Sequence, residues 1–200
     1  MQIQKKGFTL LPLDETRGKK GFTLLELLIV IGILAILASA TAIVLNPAEL
    51  LRQARDTQRL SDLDSVKSAL ALYATDNANP AFTAGPYSTN NATCGFGVAC
   101  GIRNIYTVNG TTAWVPINLD TGITGGSPLP TYPRDPKNDA TYQYAYKGDD
   151  VKDIFELNGR LESSKFKAMM TTDGGDKNTC TTYIEETCYY ETGTAPGLSL

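Results

Sequence analysis

The clearest feature of the hydrophobic pattern is one long apolar run near the N-terminus. From Phe22 to Leu45 almost every residue is apolar, and Glu26 is the only charged residue in the run. A helix of about twenty apolar residues is long enough to cross the hydrocarbon core of a membrane. The run therefore predicts a transmembrane helix over 22–45. A carboxylate inside such a span is costly and usually marks a functional position, so Glu26 is the first candidate residue.

An amphipathic continuation of this helix is predicted directly after the apolar run, over 46–79. Asn46 followed by Pro47 is typical of a helix start, although Pro47 could equally kink one continuous helix. Charged residues such as Arg52 and Asp56 are expected to pair on the exposed surface of this helix. The positions that should pack on a sheet recur at spacings of three and four: Leu63, Val66, Leu70 and Tyr73.

The remaining residues, 80–200, predict a globular β domain with variable loops. Asn109 and Gly110 lie between two short apolar segments, which favours a β-hairpin with a two-residue turn. Residues 142–146 alternate as in a strand, and Trp114 is expected to be a packing residue. The fold class predicted is α+β: a long N-terminal helix, transmembrane in its first half, packed on a small antiparallel sheet of about four strands.

Charge and composition narrow the classes of function. The chain has 18 basic and 21 acidic residues, and the basic excess is confined to the first twenty-one. The acidic remainder has no basic stripe, so nucleic acid is not expected as the main partner. The chain contains no histidine, which excludes histidine-based catalysis and histidine metal sites, and no nucleophile motif is present. We therefore do not expect an enzyme.

Four cysteines fall into two close pairs, and neither pair has the spacing of a zinc or thiol redox motif. In an exported domain an even number of cysteines predicts two disulfides, and three connectivities are open. The local pairings, Cys94 with Cys100 and Cys180 with Cys188, are favoured because short loops close most readily. Four reduced, buried thiols are the alternative.

The residues that open the apolar run resemble the processing site of type IV pilins and of type II secretion pseudopilins. The segment 19–27, KKGFTLLEL, carries the resemblance. It implies that a prepilin peptidase removes residues 1–21 by cutting between Gly21 and Phe22, and then methylates the new N-terminal Phe22. Glu26 would be the fifth residue of the mature chain, where the family has its conserved glutamate. Its expected role is assembly, through pairing with the Phe22 amine of a neighbouring subunit.

A second copy of the first seven motif residues, KKGFTLL, occupies residues 5–11. A cut after Gly7 would place Pro12 at the position of the glutamate, with no apolar span behind it. We interpret this copy as a decoy or a duplication remnant, and Gly21 as the processing site. The duplication leaves open whether translation starts at Met1.

The resemblance also implies partners and a location. The precursor would sit in the inner membrane with its C-terminal domain outside, since basic residues precede the span. An assembly platform and an assembly ATPase would then move the processed chain from the lipid into a homopolymeric filament. This filament would be either an extracellular pilus or a periplasmic filament.

Two segments resemble different members of this family. The cysteine-closed loop near the C-terminus, 179–190, is similar to that of true pilins, whereas the proline-rich stretch 128–144 is similar to major pseudopilins. A surface pilin is favoured. A type II secretion pseudopilin and a non-polymerising membrane-anchored binding domain are the alternatives, and the biological role and the rank as major or minor subunit stay open.

No cofactor is expected, except that the resemblance raises the question of calcium. Some major pseudopilins bind calcium through loop aspartates, and Asp173 and Asp176 form an acidic cluster in a predicted loop. Calcium takes roughly six to eight oxygen ligands, so one such cluster would not suffice. A solvated turn is therefore favoured over a calcium site here.

Overall fold

A computed structural model describes residues 21–200, apart from the side chains of 42–45 and 196. The chain divides into two units, one ending at Leu45 and the other spanning Asn46–Leu200, and each is described by itself. The motif copy at 5–11 and the predicted leader up to residue 20 lie outside the described residues.

Helix α1 spans Leu24–Leu45 and forms from the apolar run. The stretch Leu24–Thr41 has a mean hydropathy of 2.5 and none of it is buried within the chain, so α1 is long and apolar enough to cross a membrane. Its hydroxyl groups are satisfied within the helix, since Ser39 Oγ donates to the carbonyl of Ile36 at 2.8 Å. This matters in an apolar environment, where an unpaired polar group is expensive.

Helix α2 spans Pro47–Asp76 and has its own N-terminal cap. Asn46 adopts a left-handed backbone conformation, and its side chain accepts a hydrogen bond from the amide of Glu49 at 3.4 Å. Asn46 therefore caps the start of α2, as its helix-start interpretation predicts, and the helix expected to continue from the apolar run is interrupted at this residue. Asn77 ends α2, and its Nδ2 donates to the carbonyl of Tyr73 at 2.7 Å.

Five short strands form one sheet: β1 Tyr87–Ser88, β2 Gly101–Ile102, β3 Ala145–Asp149, β4 Ile154–Gly159 and β5 Tyr190–Gly193. Their order in the sheet is β2-β1-β3-β4-β5. Strands β1 and β2 are parallel, and all other neighbours are antiparallel. The expected sheet of about four antiparallel strands is thus a mixed sheet of five. The strand predicted over 142–146 begins later, at Ala145.

Helix α2 packs on one face of this sheet, as the spacing of its apolar residues predicts. Leu63, Val66 and Leu70 are fully buried, and Tyr73 packs against the same core. The sheet and loop residues that share this core include Phe82, Trp114, Tyr144, Tyr146, Phe155 and Leu157. The α+β class is confirmed. A short helix α3, Leu119–Gly122, and the 3-10 helices Lys167–Thr171 and Pro196–Leu198 complete the domain.

The hairpin predicted around Asn109 and Gly110 is wrong, because neither flanking segment forms a strand. The backbone there bonds to scattered partners; for example, the amide of Trp114 donates to the carbonyl of Ile105 at 3.2 Å. Residues 113–117 are all buried, which no half-exposed strand allows, because its side chains alternate between core and solvent. Trp114 itself is fully buried in the core, as a packing residue would be.

Candidate functional site

The predicted processing site lies in an exposed, non-helical segment. Gly21 and Phe22 precede the first turn of α1, and the Phe22 side chain is 84% exposed. A Cβ added to Gly21 would meet no atom within 4 Å. The described residues therefore leave room for a side chain at this position. The peptide bond between the two residues is accessible to a processing enzyme.

Glu26 is held at the N-terminal end of α1 by a reciprocal pair of hydrogen bonds with Thr23. The amide of Glu26 donates to Thr23 Oγ1 at 3.2 Å, and the amide of Thr23 donates to Glu26 Oε2 at 3.3 Å. This is a capping box, in which each side chain satisfies a backbone donor that the helix leaves unpaired. The spacing of Thr-Leu-Leu-Glu is the sequence signal that could have predicted this box. The box holds the Glu26 carboxylate against Thr23 at the N-terminal end of α1.

In the globular unit, the most concentrated charges surround Arg59 on α2. Arg59 is fully buried and forms a two-pronged ion pair with Asp135, with Nε and Nη2 at 2.7 and 3.1 Å from its two carboxylate oxygens. Arg59 Nη1 also donates to Asp56 at 2.8 Å and to Glu162 at 2.9 Å. We call these four residues, together with Arg55, the ionic cluster; Arg55 Nη2 donates to Glu162 at 3.0 Å.

The carboxylates of the ionic cluster also accept hydrogen bonds from the backbone. Asp56 accepts from the amides of Glu162 and Ser163, the latter at 2.7 Å, and Asp135 accepts from the amide of Lys137 at 2.8 Å. Each buried charge therefore has both an opposite charge and hydrogen-bond partners, which is the condition for tolerating it in a protein interior.

The electrostatics of the ionic cluster favour the charged forms. Burial raises the pKa of Glu162, but the hydrogen bonds and charges of Arg55 and Arg59 outweigh burial and hold the pKa below its ordinary value. Burial lowers the pKa of Arg59, yet bonds to Asp135 and the other carboxylates raise it overall. Glu162 and Arg59 are thus held in their charged forms, and the cluster acts as an ionic anchor.

The ionic cluster joins α2 to two distant segments. Asp135 belongs to the Pro133–Pro136 stretch, and Glu162 follows β4. The predicted surface pair of Arg52 with Asp56 is wrong, because Asp56 is fully buried and Arg52 instead pairs with Glu49 at 3.5 Å. One signal could have revealed the cluster. Arg59 lies four residues before Leu63, so it continues the apolar stripe of α2 with a charged residue.

Both predicted cysteine pairs are disulfide-bonded in the structure, Cys94 with Cys100 and Cys180 with Cys188. Two charged residues organise the second loop. The Glu185 carboxylate accepts hydrogen bonds from the amides of Thr181 and Ile184 within the loop. Arg160, which directly follows β4, donates from Nη2 to the backbone carbonyl of Glu185 at 2.6 Å. The Arg160 guanidinium also stacks 4.2 Å from the centre of the Tyr189 ring.

The aspartates considered for calcium are already engaged by the protein. Asp173 accepts from the amides of Gly175 at 3.0 Å and Glu191 at 2.8 Å, and Asp176 pairs with the ammonium of Lys177. Among the described residues, no group of three or more His, Cys, Asp or Glu side chains is arranged to hold a metal ion. As placed, Asp173 and Asp176 do not fit a calcium cage.

Comparison with known proteins bears on the N-terminal segment. The family model described as the prokaryotic N-terminal methylation motif matches residues 16–42. The match includes Gly21, Phe22 and Glu26 and most of α1, which are the residues that carried the resemblance. Comparison with curated proteins and with solved structures gave no significant match. The chain thus carries the prepilin signature shared by type IV pilins and pseudopilins.

Proposed function

We propose that the chain is a pilin, a structural subunit of a bacterial type IV pilus-like filament that polymerises through α1. The observation that supports this most strongly is the composition of α1. Its apolar side chains are exposed along its whole described length, and Glu26 is its only charged residue. Such a helix needs either lipid or other helices around it.

The carboxylate of Glu26 supports polymerisation over simple anchoring. Removal of residues 1–21 leaves a cationic amine on Phe22. In a bundle of α1 helices, Glu26 of one copy can meet the Phe22 amine of the next, which offsets the cost of burying both charges. Burial of the apolar side chains supplies most of the attraction between subunits once the helices leave the lipid, while the ion pair selects the axial stagger.

The partners follow from the same proposal. A prepilin peptidase cuts between Gly21 and Phe22 and methylates Phe22. Membrane lipid surrounds α1 before assembly, with residues 46–200 outside the cytoplasm, and an assembly platform with its ATPase transfers the chain into the filament. The main partner is then a second copy of this chain.

Two substitutions at Glu26 separate its charge from its capping role. Gln can replace Glu in a capping box but carries no charge. If pairing with the Phe22 amine drives assembly, both Glu26→Gln and Glu26→Ala abolish filaments in electron micrographs while cleavage after Gly21 continues. If only the cap matters, Glu26→Gln assembles normally and Glu26→Ala does not.

The matched control is Glu186→Gln, which removes one carboxylate from an exposed position of the globular unit. It should leave both cleavage and filaments intact. Normal filaments with Glu26→Ala would overturn the assembly role of the carboxylate. Absence of filaments in the wild type, with the chain cleaved and retained in the membrane, would favour the non-polymerising anchor.

A pseudopilin of a type II secretion system is the second candidate. The observation that favours it is the Pro133–Pro136 stretch, whose Asp135 is the main partner of buried Arg59. Deleting the gene for a pseudopilin should stop the release of secreted proteins and leave surface filaments in place. Deleting the gene for a pilin should remove the filaments.

A further inference from the structure

Two glutamates are buried together on the sheet face opposite α2. Glu156 on β4 and Glu191 on β5 are each 1% exposed. Asn158 is the cross-strand partner of Glu191, so Glu156, two residues earlier on the same face, is its diagonal neighbour. Long side chains at such positions reach one another. The fold thus brings two carboxyl groups into contact in its interior.

Each carboxyl group also holds a separate piece of chain. Glu191 Oε2 accepts from the amide of Lys177 at 2.8 Å, and Glu156 Oε2 accepts from the amide of Leu200 at 3.0 Å. Segment 173–177 lies directly on the Glu191 carboxylate, since a Cβ added to Gly175 would stand 1.8 Å from Oε2. The pair therefore ties two peripheral segments to β4 and β5.

One oxygen of this pair lacks a donor. Glu191 Oε1 is buried and has no hydrogen-bond partner among the described residues. An unpaired buried carboxylate oxygen costs several kcal/mol by order of magnitude, so a donor is expected. A proton shared with the neighbouring carboxyl of Glu156 supplies this hydrogen bond, in which the protonated carboxyl group donates to the ionised one. One proton between the two groups satisfies the oxygen and removes one of the two buried charges.

The surrounding charges do not compensate the pair. Lys147 is the cross-strand neighbour of Glu156, but its ammonium lies 5.8 Å from the centre of the Phe96 ring. Lys177 pairs with Asp176, and neither Glu156 nor Glu191 forms an ion pair with any described residue. The other charged groups that face the pair are Asp173, whose carboxylate accepts from the Glu191 amide, and Lys67, which lines the cavity beside Glu191.

We propose that Glu156 and Glu191 share a proton and form a pH-sensitive latch, which holds segments 173–177 and 198–200 against the sheet. At alkaline pH the shared proton passes to water. The route is an open cavity of about 420 Å³, lined by Glu191, Asp173 and Lys67. Two buried like charges then repel, and the peripheral segments detach. The latch does not depend on the filament role.

The direction of the pH effect follows from burial. Burial is the largest cause and raises the pKa of both Glu156 and Glu191 above the ordinary value for glutamate. The backbone hydrogen bonds from Leu200 and Lys177 oppose this rise in pKa, and the charge of Asp176 adds to it. The folded state therefore binds more protons than the unfolded state once the pH exceeds that ordinary value. Stability is then highest in acid and falls as the pH rises through the raised values.

Hydrogen exchange of the full-length chain in detergent, measured by mass spectrometry, tests the latch. After correction for the intrinsic rate, the opening equilibrium of 173–177 and 198–200 should rise by at least about tenfold between pH 6 and pH 9. The buried stripe of α2, residues 63–70, serves as the internal reference and should change less.

Variants decide whether the carboxyl pair causes the rise. Glu191→Gln, or Glu156→Gln if the former does not fold, should flatten the pH profile, because an amide cannot lose a proton in this range. The control Glu186→Gln should keep the wild-type rise. A flat wild-type profile, or a Glu191→Gln profile that rises as the wild type does, would overturn the proposal.

Discussion

Arg59 shows how one residue can join three parts of the globular unit. It occupies a position that continues the apolar stripe of α2, yet it carries a charge. Removing a charge from water is costly, and the cost is offset here by three carboxylates, Asp56, Asp135 and Glu162, at 2.7–2.9 Å. A buried charge of this kind is a weak source of stability while its partners are present. Removing one partner destabilises the fold strongly, because it leaves a buried charge without compensation.

Replacing Arg59 with Met should therefore destabilise the globular unit strongly. Met keeps the volume of the side chain but leaves three buried carboxylates without their central cation, at a cost of about 3–5 kcal/mol. Trp114 is the only tryptophan and is fully buried, so its fluorescence reports urea unfolding of the full-length chain in detergent.

The control for Arg59 is Arg52→Met. Arg52 belongs to the same helix, but its ion pair with Glu49 is half exposed, with 51% of the arginine side chain accessible. The expected loss is below about 1 kcal/mol. Equal losses for the two variants would show that the ionic cluster is not the anchor of α2.

At the scale of elements, the Cys180–Cys188 loop is stabilised by hydrogen bonds between its own residues as well as by its disulfide. Glu185 accepts hydrogen bonds from the amides of Thr181 and Ile184, each at 3.1 Å, and from the amide of Thr182. Desolvation raises the pKa of Glu185, but these hydrogen bonds outweigh it and lower the pKa to about 2. The carboxylate therefore contributes order above the ordinary pKa of glutamate, and this contribution is lost as the pH falls through about 2.

Glu185→Gln should loosen this loop without unfolding the domain. The amide accepts more weakly than a carboxylate, so hydrogen exchange of residues 181–184 should accelerate at neutral pH. The urea midpoint reported by Trp114 should not change, since the disulfide and the core remain. Unchanged exchange in the variant would show that the disulfide alone orders the loop.

The elements that could be predicted are those whose signals are local. The apolar run gave α1, Asn46 marked the start of α2, and the spacing of Leu63, Val66 and Leu70 identified its buried face. The hairpin prediction at Asn109 failed because core burial overrode the turn signal. In that region consecutive residues reach the interior, and the backbone bonds to separate parts of the chain.

The parts that could not be predicted depend on contacts between distant residues. Arg59 and Asp135 are 76 positions apart, and Asp56 and the amide of Glu162 are 106 apart. Glu156 and Glu191 meet only because β4 and β5 pair in one register. The spacing of apolar and polar residues along the sequence cannot predict contacts of this kind. The predicted processing site, by contrast, was recognisable from the sequence alone, because Gly21, Phe22 and Glu26 lie in one short motif. The structure adds only the capping box between Thr23 and Glu26.

At the scale of the whole molecule, the two units differ in how their apolar residues are satisfied. The unit Asn46–Leu200 buries its own core and closes its loops with two disulfides. Helix α1 buries none of the stretch Leu24–Thr41 within the chain. A domain with its own core, combined with a helix whose apolar side chains are left exposed, is what the proposed filament subunit requires, because such a helix needs lipid or other helices around it.

Immunogold electron microscopy of intact cells, with an antibody raised against residues 80–200, tests this central claim most directly. The account predicts labelled filaments that extend from the cell surface and are absent from cells that produce Glu26→Ala. Label confined to the envelope, visible only after the outer layer is opened and never along a fibre, would contradict the claim that this chain forms a surface filament.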